Sequence, residues 1–473
     1  MNIIYSRLHI LKNFYLKQLS DIKSQGIKIF ISKLKIFLKL VTIFIPALII
    51  VFLIRIVSPF IIVKIKSLDM ARLGEQTLTW YVKLKKIGEF DKKNEFHLFY
   101  INNSVSYVNS QWLKMWRKKI IIFPSFIFKY VELINQLLPG NEKHLFPPLQ
   151  VFHRQLIGRE ETDDLINEPN IFSNQQEFLS NLKNDSLQEI LKIKEADISF
   201  GKAELKKGYE ILQKMGIEEN KYVCFSARDQ KFLNRFNQDI NWDYQRFRNA
   251  DVNTYLPALE IMTQKGFHCL RTGFMVKEKL KTNNKKIIDY SNSEDRSDFF
   301  DIFLGSQCFF YLLSGGSGIQ GIPQAFNKPI VFINHHNINE ILYFCHNSLY
   351  IPKKYYLIKE KRFLKFAEFI DLERKTNFTR KLHNNLDGNN QIFNNLGIKL
   401  FDNSPEEISD IVDEMEKRIS GTWEEDKEDI LLQNKFWSLF EKRLSYHKNL
   451  NYLKSPTFRI GSKFLKKNKS HLF

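Results

Sequence analysis

The sequence contains only four cysteines among 473 residues. Cys224, Cys269, Cys308 and Cys345 lie far apart, mostly inside apolar runs. This spacing excludes a disulfide framework and the closely spaced pairs that hold structural zinc. We therefore expect reduced, buried cysteines in a protein exposed to the cytosol.

Acidic residues are also scarce, because 52 Asp and Glu stand against 71 Lys and Arg, which gives a net charge of +19. Such a balance suits nucleic acid, an anionic membrane surface or a polyphosphate substrate. The sequence has no zinc-finger spacing, no basic leucine zipper and no RNP-type aromatic box, so we expect no nucleic-acid partner. Its apolar content of 44% is sufficient for the cores of two or three domains.

Residues 1–66 combine basic and apolar residues and contain one acid, Asp21. Apolar residues recur at helical spacing from Ile27 to Leu38 between lysines, which predicts a basic amphipathic helix on anionic headgroups. A fifteen-residue uncharged run, Leu40 to Ile54, follows and is shorter than the ~20 residues that a membrane-spanning helix needs. If the apolar residues beyond Arg55 are counted with it, the run is long enough to span a membrane.

We expect this segment to be a membrane-associated helical anchor at the cytoplasmic face of the inner (plasma) membrane. Basic residues on both sides give no orientation for a span, so spanning, re-entrant and surface-lying arrangements stay open. The alternative is a pair of helices buried in a protein core.

Residues 67–200 alternate strand-like and helix-like segments, which predicts a parallel α/β sheet and a first Rossmann-like domain. Its first strand-to-helix turn carries Arg72, Gly74 and Glu75. Glu75 is the candidate catalytic base, although it could instead pair with Arg72. From about residue 140 the segment becomes polar and rich in proline and asparagine, as in an irregular excursion that leads to a linker.

The sequence pattern of residues 201–473 predicts a second α/β domain, a Rossmann-like one, in which several strands end in polar residues or glycine. The carboxyl ends of parallel strands are where open α/β sheets bind ligands, and a guanidinium can donate bidentately to a diphosphate. Asp289 could bind a ribose hydroxyl or a base edge, or cap the next turn, and Tyr290 could stack on the base. The candidate binding residues at these strand ends are Arg228, Asp229, Arg271, Gly273, Asp289 and Tyr290.

A glycine-rich loop separates a strand from a helix-sized segment near the middle of this second domain. Glycines let the backbone turn several N–H groups toward one point at a helix start, where a phosphate can bind. The alternative is a tight turn with no ligand. The loop consists of Ser314, Gly315, Gly316, Ser317 and Gly318.

From Leu68 onward, and most clearly from Tyr222, the chain resembles a bacterial family of GT-B glycosyltransferases associated with surface-polysaccharide clusters. The matching stretches include ARDQ, RNADVNTYLPALEIMTQKGFHCLRTG, IIDYSNSEDRSDFFDIFLGSQCFF, SGGSGIQGIPQAFNKPIVFIN and NSPEEISDIVDEMEKRISGTW. More distantly, Arg228 and the glycine loop resemble the diphosphate-contacting arginine and loop of fucosyltransferase-like enzymes. The chain departs from its relatives at Glu75 and Ser226, where they tend to have histidine.

The resemblance implies two Rossmann-like domains facing a cleft, residues 67–200 for the acceptor and 201–473 for the nucleotide sugar. It implies metal-independent transfer of a sugar from a nucleotide-sugar donor, which is a substrate rather than a cofactor, to a lipid-linked or surface-polysaccharide acceptor. A non-catalytic nucleotide-sugar or lipid-binding protein and a nucleotide-sugar epimerase are the alternatives. We expect Arg228→Ala to remove most turnover. The fold should stay intact, because a strand-end arginine lies outside the core.

Overall fold

The computed structural model describes most of the chain and divides it into two compact units. The small unit comprises Met1–Ser67, Lys93–Asn102 and Ile122–Phe146, and the large unit comprises Leu68–Lys92, Asn103–Ile121 and Pro147–Phe473. Residues 67–200 are therefore shared between the units, and the domain boundaries at 66 and 200 stay predictions. The described residues are 27–68, 76–89, 94–101, 109–144, 146, 189–190, 192–236, 242–316, 318–336, 347–376, 391–441 and 458–473.

The helices and strands follow the alternation that the sequence predicts. The α-helices include α1 (Ile27–Val57), α2 (Gln76–Lys86), α3 (Ser110–Arg117), α4 (Ser125–Leu137), α5 (Lys202–Lys214), α6 (Lys231–Phe236), α7 (Leu256–Gln264), α8 (Asp298–Gln307), α9 (Gly321–Ala325), α10 (Phe366–Thr376), α11 (Gln391–Asn395), α12 (Pro405–Ile419), α13 (Lys427–Glu441) and α14 (Ser462–Leu472). The strands include β1 (Ile62–Leu68), β2 (Glu95–Ile101), β3 (Ile122–Phe123), β4 (Tyr222–Ser226), β5 (His268–Arg271), β6 (Ile287–Ile288), β7 (Tyr311–Ser314), β8 (Ile330–His335), β9 (Ser348–Pro352), β10 (Lys354–Leu357), β11 (Arg362–Phe363), β12 (Ile398–Phe401) and β13 (Phe458–Ile460).

The small unit packs α1 and α4 against a three-stranded sheet in the order β1-β2-β3. One side of α1 is buried in this core, because Ala47, Val51 and Ile54 are at most 6% exposed. Their spacing of four and three residues places them on one stripe of the helix. Among the described residues, no helix combines the length and the hydrophobicity that crossing a lipid bilayer requires.

The large unit is built on a seven-stranded sheet in the order β13-β9-β8-β7-β4-β5-β6, and every pair of neighbours in it is parallel. The α/β prediction for this part of the chain is confirmed. A second, antiparallel sheet has the order β11-β10-β12.

Helix boundaries in the large unit follow from local capping. The Ser297 hydroxyl accepts a hydrogen bond from the Phe300 N–H at the start of α8, as the sequence predicts for a serine at this position. Ser404 and Glu407 form a capping box at the start of α12, with Pro405 in the first turn. Gly216, with φ of 71°, follows α5 in the left-handed conformation that ends many helices.

The sequence predicts a helix-sized segment after the glycine loop, and this prediction is wrong in length. A 3-10 turn, Gly318–Gln320, is followed by the five-residue helix α9, and Asn327 then turns left-handed with φ of 53° before β8 begins. So short a helix sums few peptide dipoles, so the helix dipole contributes little to an anion site near the loop.

Candidate functional site

The candidate site lies where the strand order of the large unit reverses. The chain runs from β4 to β5 and β6 on one side, and from β7 to β8 and β9 on the other. Because β4 and β7 are parallel neighbours, with Ser226 opposite Leu313, their carboxyl ends meet. The Arg228 N–H donates to the Ser314 hydroxyl at 2.7 Å and joins the two loops. Open α/β sheets bind ligands at such a reversal point.

Arg228 is buried, with 8% exposure. Its Nη1 donates to Asn249 Oδ1 at 2.9 Å and to the Gln245 carbonyl at 3.3 Å, and its Nη2 donates to Gln245 Oε1 at 2.5 Å. The expectation that this side chain lies outside the core is therefore wrong. A 3-10 turn, Trp242–Arg248, covers the strand end and supplies the Gln245 acceptors, and Asn249 follows directly after it.

Arg248, at the end of the same turn, is a second buried arginine beside the first. Its Nη1 donates to Gln245 Oε1 at 3.1 Å, and its Nη2 donates to the Gly316 carbonyl. A side chain at Gly316 would place Cβ 2.4 Å from Arg248 Nη2, and Gly316 also has φ of 74°. Glycine is needed at this position both for the backbone conformation and for the approach of the arginine.

Lys353 adds a third buried cation behind the two arginines. Its Nζ contacts the Asn249 carbonyl at 2.9 Å and Asp402 Oδ1 at 2.6 Å. Burial lowers the pKa of Lys353, and the positive charge of Arg228 lowers it further, while Asp402 acts in the opposite direction. Arg228 and Lys353 therefore place two positive charges beside Asn249, and the charge of Lys353 is paired with Asp402.

Arg228 and Arg248 border a cavity of about 150 Å³. Arg228 and Arg248, with Gly316 beside Arg248, give it a cationic side, and Phe232, Phe274 and Val276 give it an apolar side. The described residues that line the cavity are Ser226, Ala227, Arg228, Asp229, Phe232, Leu233, Arg248, Gly273, Phe274, Met275, Val276, Arg296, Asp301, Gly316, Gly318 and Ile319.

No protein-family model matches the sequence, and no curated protein matches it. The solved structures that are distantly similar include the following three. A glycosyl transferase family 9 protein from Veillonella parvula is 11% identical, with a TM-score of 0.38 over 61% of this chain and 85% of that chain. A UDP-N-acetylglucosamine 2-epimerase is 12% identical (TM-score 0.30; 78% of this chain, 98% of that one), and one from Listeria monocytogenes is 10% identical (TM-score 0.29; 77% and 99%). None of them is near enough to assign a function.

Several residues predicted for the site lie on the cavity, namely Arg228, Asp229, Gly273, Gly316 and Gly318. The Asp229 carboxylate accepts the Lys231 N–H at 2.9 Å and the Lys277 N–H at 2.8 Å, so it fixes the two loops that flank the cavity.

Other predicted residues have partners within the protein and are not among the described lining residues. Arg271 is 1% exposed and contacts Asp289 at 3.4 Å, and the Ser291 hydroxyl also donates to Asp289. The Tyr290 ring packs edge-on against Phe300, and its hydroxyl accepts the Ser297 N–H. Their roles in nucleotide binding stay predictions.

In the glycine loop, Gly315 donates its N–H to the Ile333 carbonyl at 3.1 Å, so this amide is already used within the sheet. The Ser314 hydroxyl is likewise engaged by the Arg228 N–H. Arg72, Gly74, Glu75 and Ser317 lie outside the described residues, and their roles also stay predictions.

The sequence interpretation missed an ion pair on the cavity wall, Arg296 with Asp301. Arg296 donates to the Asp301 carboxylate and to the Gly273 carbonyl, and its guanidinium lies 4.2 Å from the centre of the Phe274 ring. Asp301 Oδ1 is buried and accepts no hydrogen bond from the described residues. Burial raises the pKa of Asp301 to about 7, against the opposing effect of Arg296. The only local sign of this pair in the sequence is the stretch DRSDFFD, a pattern that is typical of a helix cap.

Proposed function

We propose that this chain is a glycosyltransferase of the GT-B type that transfers a sugar from a nucleotide-sugar donor without a metal ion. The observation that carries the proposal is the convergence of Arg228 and Arg248 on one cavity at the reversal point of a parallel sheet. The acceptor that we propose, a lipid-linked or polysaccharide glycan, rests on the family resemblance alone.

Two adjacent guanidinium groups suit a diphosphate better than a neutral ligand, because each offers charge-assisted hydrogen bonds to phosphate oxygens. Both guanidinium groups donate to Gln245 Oε1, so they are already oriented before a ligand binds. In glycosyl transfer the diphosphate leaves with additional negative charge, and fixed cations near it stabilise that charge.

The apolar side of the cavity fits the other half of a nucleotide. The Phe232 and Phe274 rings lie 5.9 Å apart, centroid to centroid, and the cavity of about 150 Å³ accommodates part of a nucleotide sugar rather than all of it. We therefore assign the phosphates to the arginine side and the base to the phenylalanine side. Glu75 remains the proposed catalytic base.

Nucleotide binding tests this assignment directly. Isothermal titration of the full chain with UDP-, GDP- and CMP-sugars is expected to identify one donor, and Arg248→Ala is expected to weaken its binding by about 10- to 100-fold. The matched control is Arg246→Ala, which removes the same charge from the same 3-10 turn at an exposed residue paired with Asp243.

We expect Arg246→Ala to change the affinity by less than about twofold, as is usual for an exposed ion pair. Equal losses in the two variants would mean that only overall charge matters, and would contradict the assignment. Failure of every nucleotide sugar and every free nucleotide to bind would remove the proposed function altogether. Donor hydrolysis in the absence of acceptor would separate an enzyme from a non-catalytic binder.

Donor affinity is expected to fall as the pH rises from about 6 to 8. Asp301 has a pKa near 7 and loses its proton in this range, which places a negative charge on the wall of a cavity that receives a diphosphate. Arg296 faces this carboxyl group and Asp298 lies nearby, and Arg296 keeps its charge throughout the range. We expect a three- to tenfold rise in the dissociation constant.

Titrations with a nucleotide sugar at both pH values, in the native protein and in Asp301→Asn, measure this effect. The diphosphate of a nucleotide sugar has no proton to lose in this range, so the asparagine variant should show a flat profile. The same pH dependence in both proteins would assign it to another group.

A further inference from the structure

Helix α1 presents a wide apolar face that no described part of the protein covers. The face follows the helical spacing Val41, Ile45, Leu48, Phe52 and Ile56, opposite the buried stripe. It continues into the turn after the helix, where Phe60 is 77% exposed. The large apolar residues at least about a third exposed in this stretch are Ile31, Leu34, Leu38, Val41, Phe44, Ile45, Leu48, Ile49, Phe52, Leu53, Ile56, Val57, Phe60 and Ile61.

The size of this face distinguishes it from ordinary surface apolarity. An aromatic side chain has roughly 150–250 Å² of surface and an aliphatic one somewhat less, so these fourteen side chains, about half exposed, present on the order of 1,000 Å². The largest apolar patch on a typical monomer is roughly 300–600 Å² and often marks a binding site. A face of this size is typical of an interaction surface.

Arg55, the one charged residue between Lys39 and Lys64, does not interrupt this face. Its Nε donates to Asn135 Oδ1 at 2.9 Å, its Nη2 to the Asn135 carbonyl at 3.0 Å, and its Nη1 to the Pro139 carbonyl at 2.6 Å. These bonds direct the guanidinium toward α4 and the residues after it. The apolar face thus keeps its continuity at the position where the sequence places a cation.

The charge of the surrounding chain indicates which partner the face takes. Residues 1–66 contain one acid, Asp21, and eleven basic residues, namely Arg7, Lys12, Lys17, Lys23, Lys28, Lys33, Lys35, Lys39, Arg55, Lys64 and Lys66. A second copy of this chain would bring the same positive charge against itself, and such like-charge contacts oppose association. An anionic lipid surface offers hydrocarbon to the apolar side chains and negative headgroups to the lysines.

We propose that the exposed face of α1, with Phe60 and Ile61, inserts into one leaflet of an anionic lipid bilayer, whose negative headgroups are attracted by the excess positive charge of residues 1–66. Insertion covers the apolar side chains and leaves the buried stripe of α1 in the protein core. This inference does not depend on the nucleotide-sugar reaction proposed above.

Vesicle flotation of the full chain tests the inference. The chain is diluted from detergent into vesicles of phosphatidylcholine, with or without phosphatidylglycerol. We expect it to float with the anionic vesicles about tenfold more than with the neutral ones, and less at high salt. The double variant Phe52→Ser/Phe60→Ser should reduce flotation by about tenfold or more, because both side chains lie on the inserted face.

The matched control is Ile430→Ser/Leu431→Ser, which removes two exposed apolar side chains, 48% and 65% exposed, from α13 of the large unit. This control should float like the native chain. Equal flotation with both kinds of vesicle would contradict the anionic requirement, and equal losses in the two double variants would contradict the assigned face. A discrete dimer in light scattering, with no vesicle binding, would identify a second copy as the partner and overturn the inference.

Discussion

Lys83→Met is expected to lower the free energy of unfolding by about 3 to 5 kcal/mol. Lys83 of α2 and Asp197 form an ion pair at 3.3 Å whose side chains are 2% and 0% exposed. The Asp197 N–H also donates to the Ala325 carbonyl of α9, so the pair joins two helices of the large unit. Methionine fills a similar volume but leaves a buried carboxylate that has, among the described residues, only Lys86 within ion-pair distance, at 3.9 Å.

The pH dependence of this loss identifies its cause. Burial raises the pKa of Asp197 to about 6, although Lys83 and Lys86 act to lower it. A carboxyl group with a raised pKa holds its proton more tightly in the folded state, so its contribution to stability falls as the pH rises from about 4 to 6. Without Lys83 the pKa rises further, so the variant should lose less stability at pH 5, where Asp197 is protonated, than at pH 8.

Chemical denaturation of the native chain, Lys83→Met and the double variant Lys83→Met/Asp197→Asn at the two pH values measures these effects. The double variant should recover most of the loss at pH 8, because it removes the uncompensated charge. A pH-independent loss that the second substitution fails to restore would point to packing rather than charge.

Gly315→Ala is expected to destabilise the large unit by about 3 kcal/mol, at the upper end of what an added methyl group costs in a packed region. The new Cβ would lie 2.8 Å from His335 Cα and 2.4 Å from His335 Cδ2. The His335 ring cannot move aside easily, because it is buried beside the rings of His336 and Tyr350. Strands β7 and β8 would have to separate at their carboxyl ends.

The matched control is Gly201→Ala, since Gly201 precedes α5 with φ of −74° and its Cβ would meet only Glu204 Oε2, at 3.5 Å. We expect this control to cost about 1 kcal/mol or less. Denaturation and nucleotide titration of both variants separate two roles for Gly315. A loss of donor affinity at unchanged stability would assign Gly315 to ligand binding instead of strand packing.

The parallel sheet could be predicted from the sequence because its strands are short apolar runs separated by helical patterns. The same reasoning brought Arg228 and the glycine loop to one edge, since strand ends of a parallel sheet share an edge. It could not give the strand order, and the order decides that β4 and β7 are neighbours while β5 and β6 lie farther out. Arg271 ends β5 and Asp289 follows β6, and the two side chains pair with each other.

Arg248 and Asp301 could not be found from the sequence, for two different reasons. Arg248 belongs to a basic aromatic stretch with no periodic pattern, and only the folded 3-10 turn brings it to Gly316. Asp301 is in the first turn of α8, where acidic residues usually complement the helix dipole, and its raised pKa depends on burial that no local pattern reveals. The sequence shows Gly315 and Gly316 but not why glycine is needed there. Gly315 approaches His335 and Gly316 approaches Arg248, and these contacts form only in the tertiary structure.

The burial of one side of α1 has a practical consequence for anyone who produces this protein. Apolar amino-terminal segments are often deleted to obtain a soluble fragment. A chain that begins after residue 66 would lack the side chains of Ala47, Val51 and Ile54, which cover β2 and α4, together with most of β1. Leu98, Tyr100 and Val131 would then be exposed to solvent. The shortened chain would therefore lose the exposed apolar face of α1 but gain a new exposed apolar surface. Purification is better served by keeping the whole chain and supplying detergent or lipid for the outer face of α1.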